Sequence, residues 1–228
     1  MRATVIDYKA GNLTSVVKAL RYLGAEVEIT DRPEPLAKAE RIILPGVGHF
    51  SATGRLDETG LTSAIRSAIA RGIPFLGICV GMQWLLDGSS EAPQQPGLGH
   101  FIGRCERFSE SITEPYSHLA AASIKIPHVG WNTILPRTDK PMRLLDGIRA
   151  TEGGEFAYFT HSYLVPTTVF ARPYTNTPEK PIAAITHYIR SFASAVEHEN
   201  VFGVQFHPEK SGETGLKILR NFLEFQPC

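Results

Sequence analysis

The feature that most restricts what this chain can fold into is a rhythm in its first third. Short apolar runs alternate with apolar stripes at helical spacing. "ATVID" (3–7) reads as a buried strand, after which Leu13, Val16, Val17, Leu20 and Leu23 mark one face of a helix that Gly24 ends. "AEVEIT" (25–30) and "RIILPG" (41–46) are the next two strands, and Leu61, Ala64, Ile65, Ala68 and Ile69 stripe a helix that closes at Gly72. "IPFLGI" (73–78) is a fourth strand, and "VGMQWLL" (80–86) opens another helix. Strands that alternate with helices and lack hairpin turns predict a parallel sheet covered on both faces. In such a sheet the ligand crevice lies at the carboxyl ends of the strands.

Beyond Leu86 the pattern changes. "DGSSEAPQQPGLG" (87–99) reads as a loop, and "FIGRCERF", "IKIPHVGW", "EFAYFTHSYLV" (155–165), "VFARP", "IAAITHYI" (182–189) and "FASAVEHENVFGVQF" (192–206) read as strands and turns. A last amphipathic helix is carried by Leu216, Leu219, Phe222 and Leu223. No repeat, low-complexity tract or linker divides the chain. Residues 1–228 are therefore expected to form a single α/β domain, with a mostly parallel central sheet flanked by helices and a mixed or antiparallel extension. A chain of this length buries roughly 70% of the surface its unfolded form exposes, so it needs neither a disulfide nor a metal for stability.

Composition excludes several functions. Lys and Arg together number 23, as do Asp and Glu, so no broad basic field draws nucleic acid or anionic lipid. Three cysteines, at 79, 105 and 228, form no CxxC pair and leave an odd thiol, which predicts a reducing, cytoplasmic setting. Asp7 interrupts the N-terminus before a signal-peptide core could form, and the longest apolar stretch, Ile73 to Leu86, is too short to span a bilayer. The histidines show no metal-ligand spacing, and there is no phosphate-binding loop, so neither metal nor cofactor is implied.

The chemistry-bearing signal is Gly77-Ile78-Cys79-Val80-Gly81, a G-x-nucleophile-x-G pattern where a strand ends and a helix begins. A sharp turn there lifts the thiol clear of the sheet, and the helix N-terminus favours the thiolate. Cys79 reads equally well as a small buried hydrophobe, and the pentapeptide alone does not separate the two. A thiolate nucleophile needs a base, and "VFGVQFHPEKS" (201–211) supplies one: His207 and Glu209 are two apart, so in an extended chain they share a face. The oxyanion formed on attack at a carboxamide needs donors. The N–H of Val80 is one, and "LPGVGHF" (44–50) offers the N–H of Val47 or Gly48 as another. Gly46 and Gly48 do not make a dinucleotide fingerprint, because the third glycine is missing.

"GICVGMQ" with "FGVQFHPEKS" resembles the class I, or triad, glutamine amidotransferases, which hydrolyse glutamine and pass the ammonia to a second active site. "IDYKAGNL" (6–13), "PHVGWN" (127–132) and "YFTHSY" (158–163) resemble the branch of that family serving histidine biosynthesis, and the similarity runs over nearly the whole chain. The resemblance implies a flavodoxin-like sheet, with Cys79 as nucleophile, His207 as general base and acid, and Glu209 as the group orienting it. It implies that L-glutamine is held by Gln83, Gly48 and the stretch His161, Ser162 and Tyr163. It further implies a heterodimer with a separate (βα)8-barrel cyclase subunit, with Asn12, Trp131, Asn132 and Lys210 near the interface and the ammonia passage. A glutaminase for another pathway, a silent binding subunit and a peptidase-like cysteine hydrolase are the competing readings. The 109–122 insert, Cys105 and the proline-rich 172–181 stretch depart from the pattern, all outside the triad motifs.

Overall fold

The structure, a computed structural model, describes residues 1–108, 125–136, 141–149, 153–171 and 182–226. The 109–122 insert, the 172–181 stretch and Cys228 lie outside the described residues.

In chain order, strand β1 (Arg2–Ile6) leads into helix α1 (Leu13–Tyr22), followed by β2 (Glu26–Thr30), β3 (Ile42–Gly46), the short α2 (Gly54–Glu58), α3 (Leu61–Ala70), β4 (Phe75–Cys79) and α4 (Val80–Trp84). Both long helices of this half stop for the same local reason. Gly24 and Gly72 take left-handed backbone at φ +82°. That turn lets Ala25 N–H reach Leu20 O and Ile73 N–H reach Ala68 O, each at 3.1 Å, closing the last helical carbonyls and launching the next strand. The predicted stripes hold: Val16, Val17 and Leu20 of α1 and Leu61, Ile65, Ala68 and Ile69 of α3 are buried.

The second half adds β5 (Gly88–Ser89), β6 (Ala92–Pro96), β7 (Phe101–Ile102), β8 (Arg104–Arg107), β9 (His128–Ile134), β10 (Glu155–His161), β11 (Tyr163–Leu164), β12 (Phe170–Ala171), β13 (Ile182–His187), β14 (Ser191–His198), β15 (Val201–Val204) and helix α5 (Gly212–Glu224). Among the described residues the main sheet has seven strands in the order β13-β14-β15-β4-β3-β1-β2. From β2 to β15 every pairing is parallel, whereas β14 pairs antiparallel with β15 and with β13. The parallel sheet and its antiparallel extension are thus one continuous sheet. Its inner strands β3, β4 and β15 are buried throughout, as the unbroken apolar runs of doubly covered strands require. Beside it, β9 and β10 form an antiparallel ribbon, tied to β13 by paired backbone bonds between Leu135 and Ile185.

Two expectations need correction. The 87–99 segment is not a plain loop, because it contains β5 and β6; β6 has the exposed sequence APQQP, whose lack of apolar alternation hid the strand. Helix α4 stops at Trp84, and the apolar run that predicts its continuation goes on as Leu85 and Leu86, both fully buried beyond the helix.

Candidate active site

Cys79 closes β4 and begins α4 with φ +54° and ψ −107°. That is a conformation a side chain rarely adopts, and holding it costs on the order of 1–3 kcal/mol. The flanking glycines make the turn sterically possible. A Cβ on Gly77 would sit 2.8 Å from Met82 N and closer still to the Gly81 carbonyl, and one on Gly81 would press into the Leu44 carbonyl of β3. The glycines therefore serve close packing of α4 against the sheet, and the strained turn itself falls on the cysteine.

Register brings the remaining groups to this point. Gly46, the last residue of β3, pairs with Cys79, so the following Val47 and Gly48 stand beside the elbow. On the other side Val204 of β15 pairs with Ile78, and the chain runs on through Gln205 and Phe206 to His207. His207 is fixed by its backbone, its N–H donating to Tyr158 O at 2.8 Å, while Ser211 Oγ donates to its carbonyl at 2.6 Å. Its Nδ1 lies 2.9 Å from Glu209 Oε1, with both side chains only 1% exposed. The expected pair is made, though not as anticipated: Glu209 lies in a 3-10 turn, Pro208–Lys210, so a bend rather than an extended chain turns the carboxylate toward the ring.

The electrostatics follow from this packing. Burial works to lower the pKa of His207, yet the Cys79 sulfur and the Glu209 carboxylate outweigh it and hold the imidazole up to about 10. Nε2 is buried and makes no hydrogen bond of normal geometry, so its interaction with the Cys79 sulfur, which raises the pKa both as a hydrogen-bond partner and as a charge, is a poorly aligned one. Tyr8, whose hydroxyl is buried and unpartnered, has its pKa raised, first by burial and then by the charge at Cys79.

A cavity of about 250 Å³ opens over the sulfur, lined by Val47, Gly48, Cys79, Val80, Gln83, Glu91, Pro127, Thr160, His161, Ser162 and Tyr163. The expected substrate contacts are thus all gathered here: Gly48, Gln83, His161, Ser162 and Tyr163 line the same cavity as the expected oxyanion donors Val47 and Val80. Sequence reasoning missed Glu91, the one carboxylate among these lining residues, which accepts from Phe50 N–H at 2.8 Å. It also missed Thr160, whose carbonyl lies 3.9 Å from the sulfur, and Gln205, whose amide lies 3.5 Å from it. All three meet Cys79 or its cavity only through tertiary contact, so no local spacing announces them. His161 is neutral: burial above all lowers its pKa, to about 3.

The residues expected at an interface divide. Trp131 stands 55% exposed on β9, beside the equally exposed Val129 and, across the ribbon, Phe156. Its ring meets Tyr158 edge to face at 6.1 Å, and the exposed Lys210 ammonium lies 5.7 Å from that Tyr158 ring. Asn132, the next residue along β9, points to the opposite face, where its amide donates to His187 O at 3.0 Å and to His128 Nε2 at 3.3 Å. Asn12 is half-buried at the N-cap position of α1 and makes no capping bond through its side chain.

Residues 4–225 match the family described as glutamine amidotransferase class-I. The chain belongs to that family. Among the curated proteins it is similar to the imidazole glycerol phosphate synthase subunit HisH of Salinibacter ruber, with 42% identity over 96% of this chain and 92% of that protein. It is also 42% identical to the subunit of the same name from Caldanaerobacter subterraneus, over 98% of both chains. Of solved structures, a glutamine amidotransferase aligns with TM-score 0.63 and 18% identity over 97% of both chains. PurLQS from Thermotoga maritima aligns with TM-score 0.63 and 22% identity over the same shares, and these two establish likeness of fold.

Proposed function

We propose that this chain is the glutaminase subunit of an imidazole glycerol phosphate synthase, releasing ammonia from L-glutamine for a separate (βα)8-barrel cyclase in the cytoplasm. The observation that carries the reading is the interaction of the strained Cys79 elbow, which lines a cavity of about 250 Å³, with the buried His207–Glu209 pair. In this reading Cys79, as thiolate, attacks the side-chain amide carbon of glutamine. The oxygen takes the negative charge and is met by the N–H of Val80 and an N–H from the Val47–Gly48 turn. Collapse of the tetrahedral species breaks the C–N bond, and the proton held by His207 goes to the leaving ammonia, leaving a γ-glutamyl thioester. Water then gives a proton to the same imidazole and attacks the thioester, which releases glutamate and restores the sulfur. Glu209 keeps the ring oriented through both halves.

Glu91, Gln83 and the His161–Tyr163 stretch hold the amino-acid end of the substrate, with the carboxylate of Glu91 suited to its ammonium. The outward face of the β9–β10 ribbon, bearing Val129, Trp131 and Phe156, together with Lys210 and Asn12, takes the cyclase. An aromatic anchor among exposed apolar residues next to the site is the arrangement an interface centre requires. Among the described residues no helix is long and apolar enough to cross a membrane, and Cys79 and Cys105 are free thiols.

The test is ammonia and glutamate release by the wild type and by Cys79→Ala, each with and without a cyclase subunit, combined with mapping of the residue labelled by a glutamine-like electrophile. Release by the wild type alone, with label on Cys79, supports the reading. Equal release by both proteins would remove Cys79 from the mechanism.

A further inference from the structure

The sulfur of Cys79 has a neighbour that the mechanism above leaves idle. Gln205, fully buried, brings the nitrogen of its side-chain amide to 3.5 Å from Cys79 Sγ. An amide can turn either end to a neighbour, so the question is which end faces the sulfur. One group settles it. The backbone carbonyl of Tyr163 can only accept, and it lies 3.1 Å from the Gln83 amide, so the end of Gln83 facing it is Nε2. The second hydrogen on that nitrogen is directed at Gln205, also 3.1 Å away, which must answer with Oε1. The end of Gln205 left over, Nε2, is a donor, and it faces the sulfur.

The same carbonyl is held from its other side. His161 Nδ1 donates to Tyr163 O at 2.8 Å, so the neutral ring has an accepting Nε2, which takes a hydrogen from His128 Nδ1 at 3.1 Å. Nε2 of His128 then accepts from Asn132 Nδ2 at 3.3 Å, and Asn132 Oδ1 accepts the N–H of Thr133 at 2.8 Å. His128 is also neutral, burial lowering its pKa to about 4. Each donor and acceptor in this buried network follows from a carbonyl that cannot donate, and none can reverse without leaving two donors or two acceptors face to face.

We propose that Gln205 is a further catalytic residue, whose amide N–H donates to the Cys79 sulfur and favours its anionic form, with the direction of the amide imposed by Tyr163 O through Gln83. A thiolate accepts a hydrogen bond more strongly than a thiol, so a fixed donor raises the share of nucleophile that is ionised. The same bond slightly tempers the reactivity of each anion, but below the ordinary thiol range the gain in population is the larger effect. The proposal deepens the glutaminase reading and borrows from it only the identity of the nucleophile.

Gln205→Glu keeps the size of the side chain and removes the donor. The rate of Cys79 alkylation by iodoacetamide at pH 7, mapped by mass spectrometry with buried Cys105 as internal reference, is expected to fall about tenfold. In the wild type, which avoids any doubt about folding of the variant, the side-chain amide protons of Gln205 followed by nitrogen-edited NMR should move downfield as Cys79 ionises. That response should vanish in Cys79→Ala. An unchanged alkylation rate in folded Gln205→Glu, or a Gln205 amide indifferent to the ionisation of Cys79, overturns the proposal. If Gln205→Glu does not fold, the wild-type titration decides alone. Neither readout needs turnover, so absence of ammonia release by the wild type would defeat the glutaminase reading and leave this test standing.

Discussion

Replacing Gly81 by alanine tests the packing that holds the elbow. Gly81 has no left-handed backbone, so alanine is conformationally acceptable there and the effect is one of space alone. The new methyl would lie 3.1 Å from the Leu44 carbonyl carbon and deeper still inside contact with its oxygen. Those are backbone atoms of β3 that cannot swing aside as a side-chain tip would. Relief requires β3 and α4 to part by on the order of 1 Å, and overpacking of this kind costs about 1–3 kcal/mol. For a chain of this size that lowers the melting temperature by roughly 2–12 °C. Two residues after Leu44, β3 ends at Gly46, paired with Cys79, so the same displacement separates the sulfur from the Val47–Gly48 turn. Misplacing reacting groups by about 1 Å lowers kcat on the order of 100-fold.

Gly24→Ala is the control. It forces alanine into φ +82° but meets nothing within 4 Å, and it lies at the far end of α1. It should cost about 1–2 kcal/mol in backbone strain and leave kcat unchanged. Scanning calorimetry and glutamate release by both variants, each with the cyclase present, make the comparison. Gly81→Ala with wild-type melting and wild-type kcat would refute the steric account of the elbow.

Two further outcomes follow from burial and exposure. His100, His128 and His161 are buried with folded pKa values lowered to about 4, 4 and 3, so the unfolded chain binds more protons below its ordinary value of 6.5. Stability is therefore intact above that pH and lost as pH falls through the window between 6.5 and the folded values, on the order of 2 kcal/mol per imidazole by pH 5. Urea unfolding at pH 7 and pH 5 should show a net loss, reduced by the opposite contribution of His207, and His100→Gln should remove about 2 kcal/mol of it; the same loss in the two proteins would contradict it. Trp131→Ala should weaken the complex with the cyclase about 30-fold, as loss of an interface anchor does, while the isolated subunit melts as before because the ring is already exposed. Unchanged affinity by calorimetric titration would move the docking face elsewhere.

Much of the fold is readable because its parts are locally encoded. Val16, Val17 and Leu20 give α1 its stripe, Gly24 its end, and the buried runs 42–46 and 75–79 announce strands covered on both sides. The proposed nucleophile and base can be picked out as well, since a cysteine between glycines at a strand end and a His-Pro-Glu are contiguous signals. The geometry of that second signal is not legible: Pro208 bends the chain, and Glu209 meets His207 across a turn. Least legible are groups whose partners are distant in sequence. Glu91 lies in a segment without periodicity, and Gln205 reads as one more residue of a strand until Gln83, 122 positions away, is seen to orient it. Asn132 illustrates the same limit on a ribbon, where a single step of the alternation separates the exposed Trp131 from a side chain turned inward.

The neighbourhood of β4 and β15 also fixes when the site can exist during synthesis. The sulfur is carried by the 79th residue, at the end of β4, and its proposed base by the 207th, three residues beyond β15, on neighbouring parts of the sheet made far apart in time. A half-translated chain emerging from the ribosome holds the thiol without the imidazole or the carboxylate that steadies it. On the proposed mechanism no partial product hydrolyses glutamine, and the last strand to arrive at once completes the sheet and brings the imidazole to the thiol.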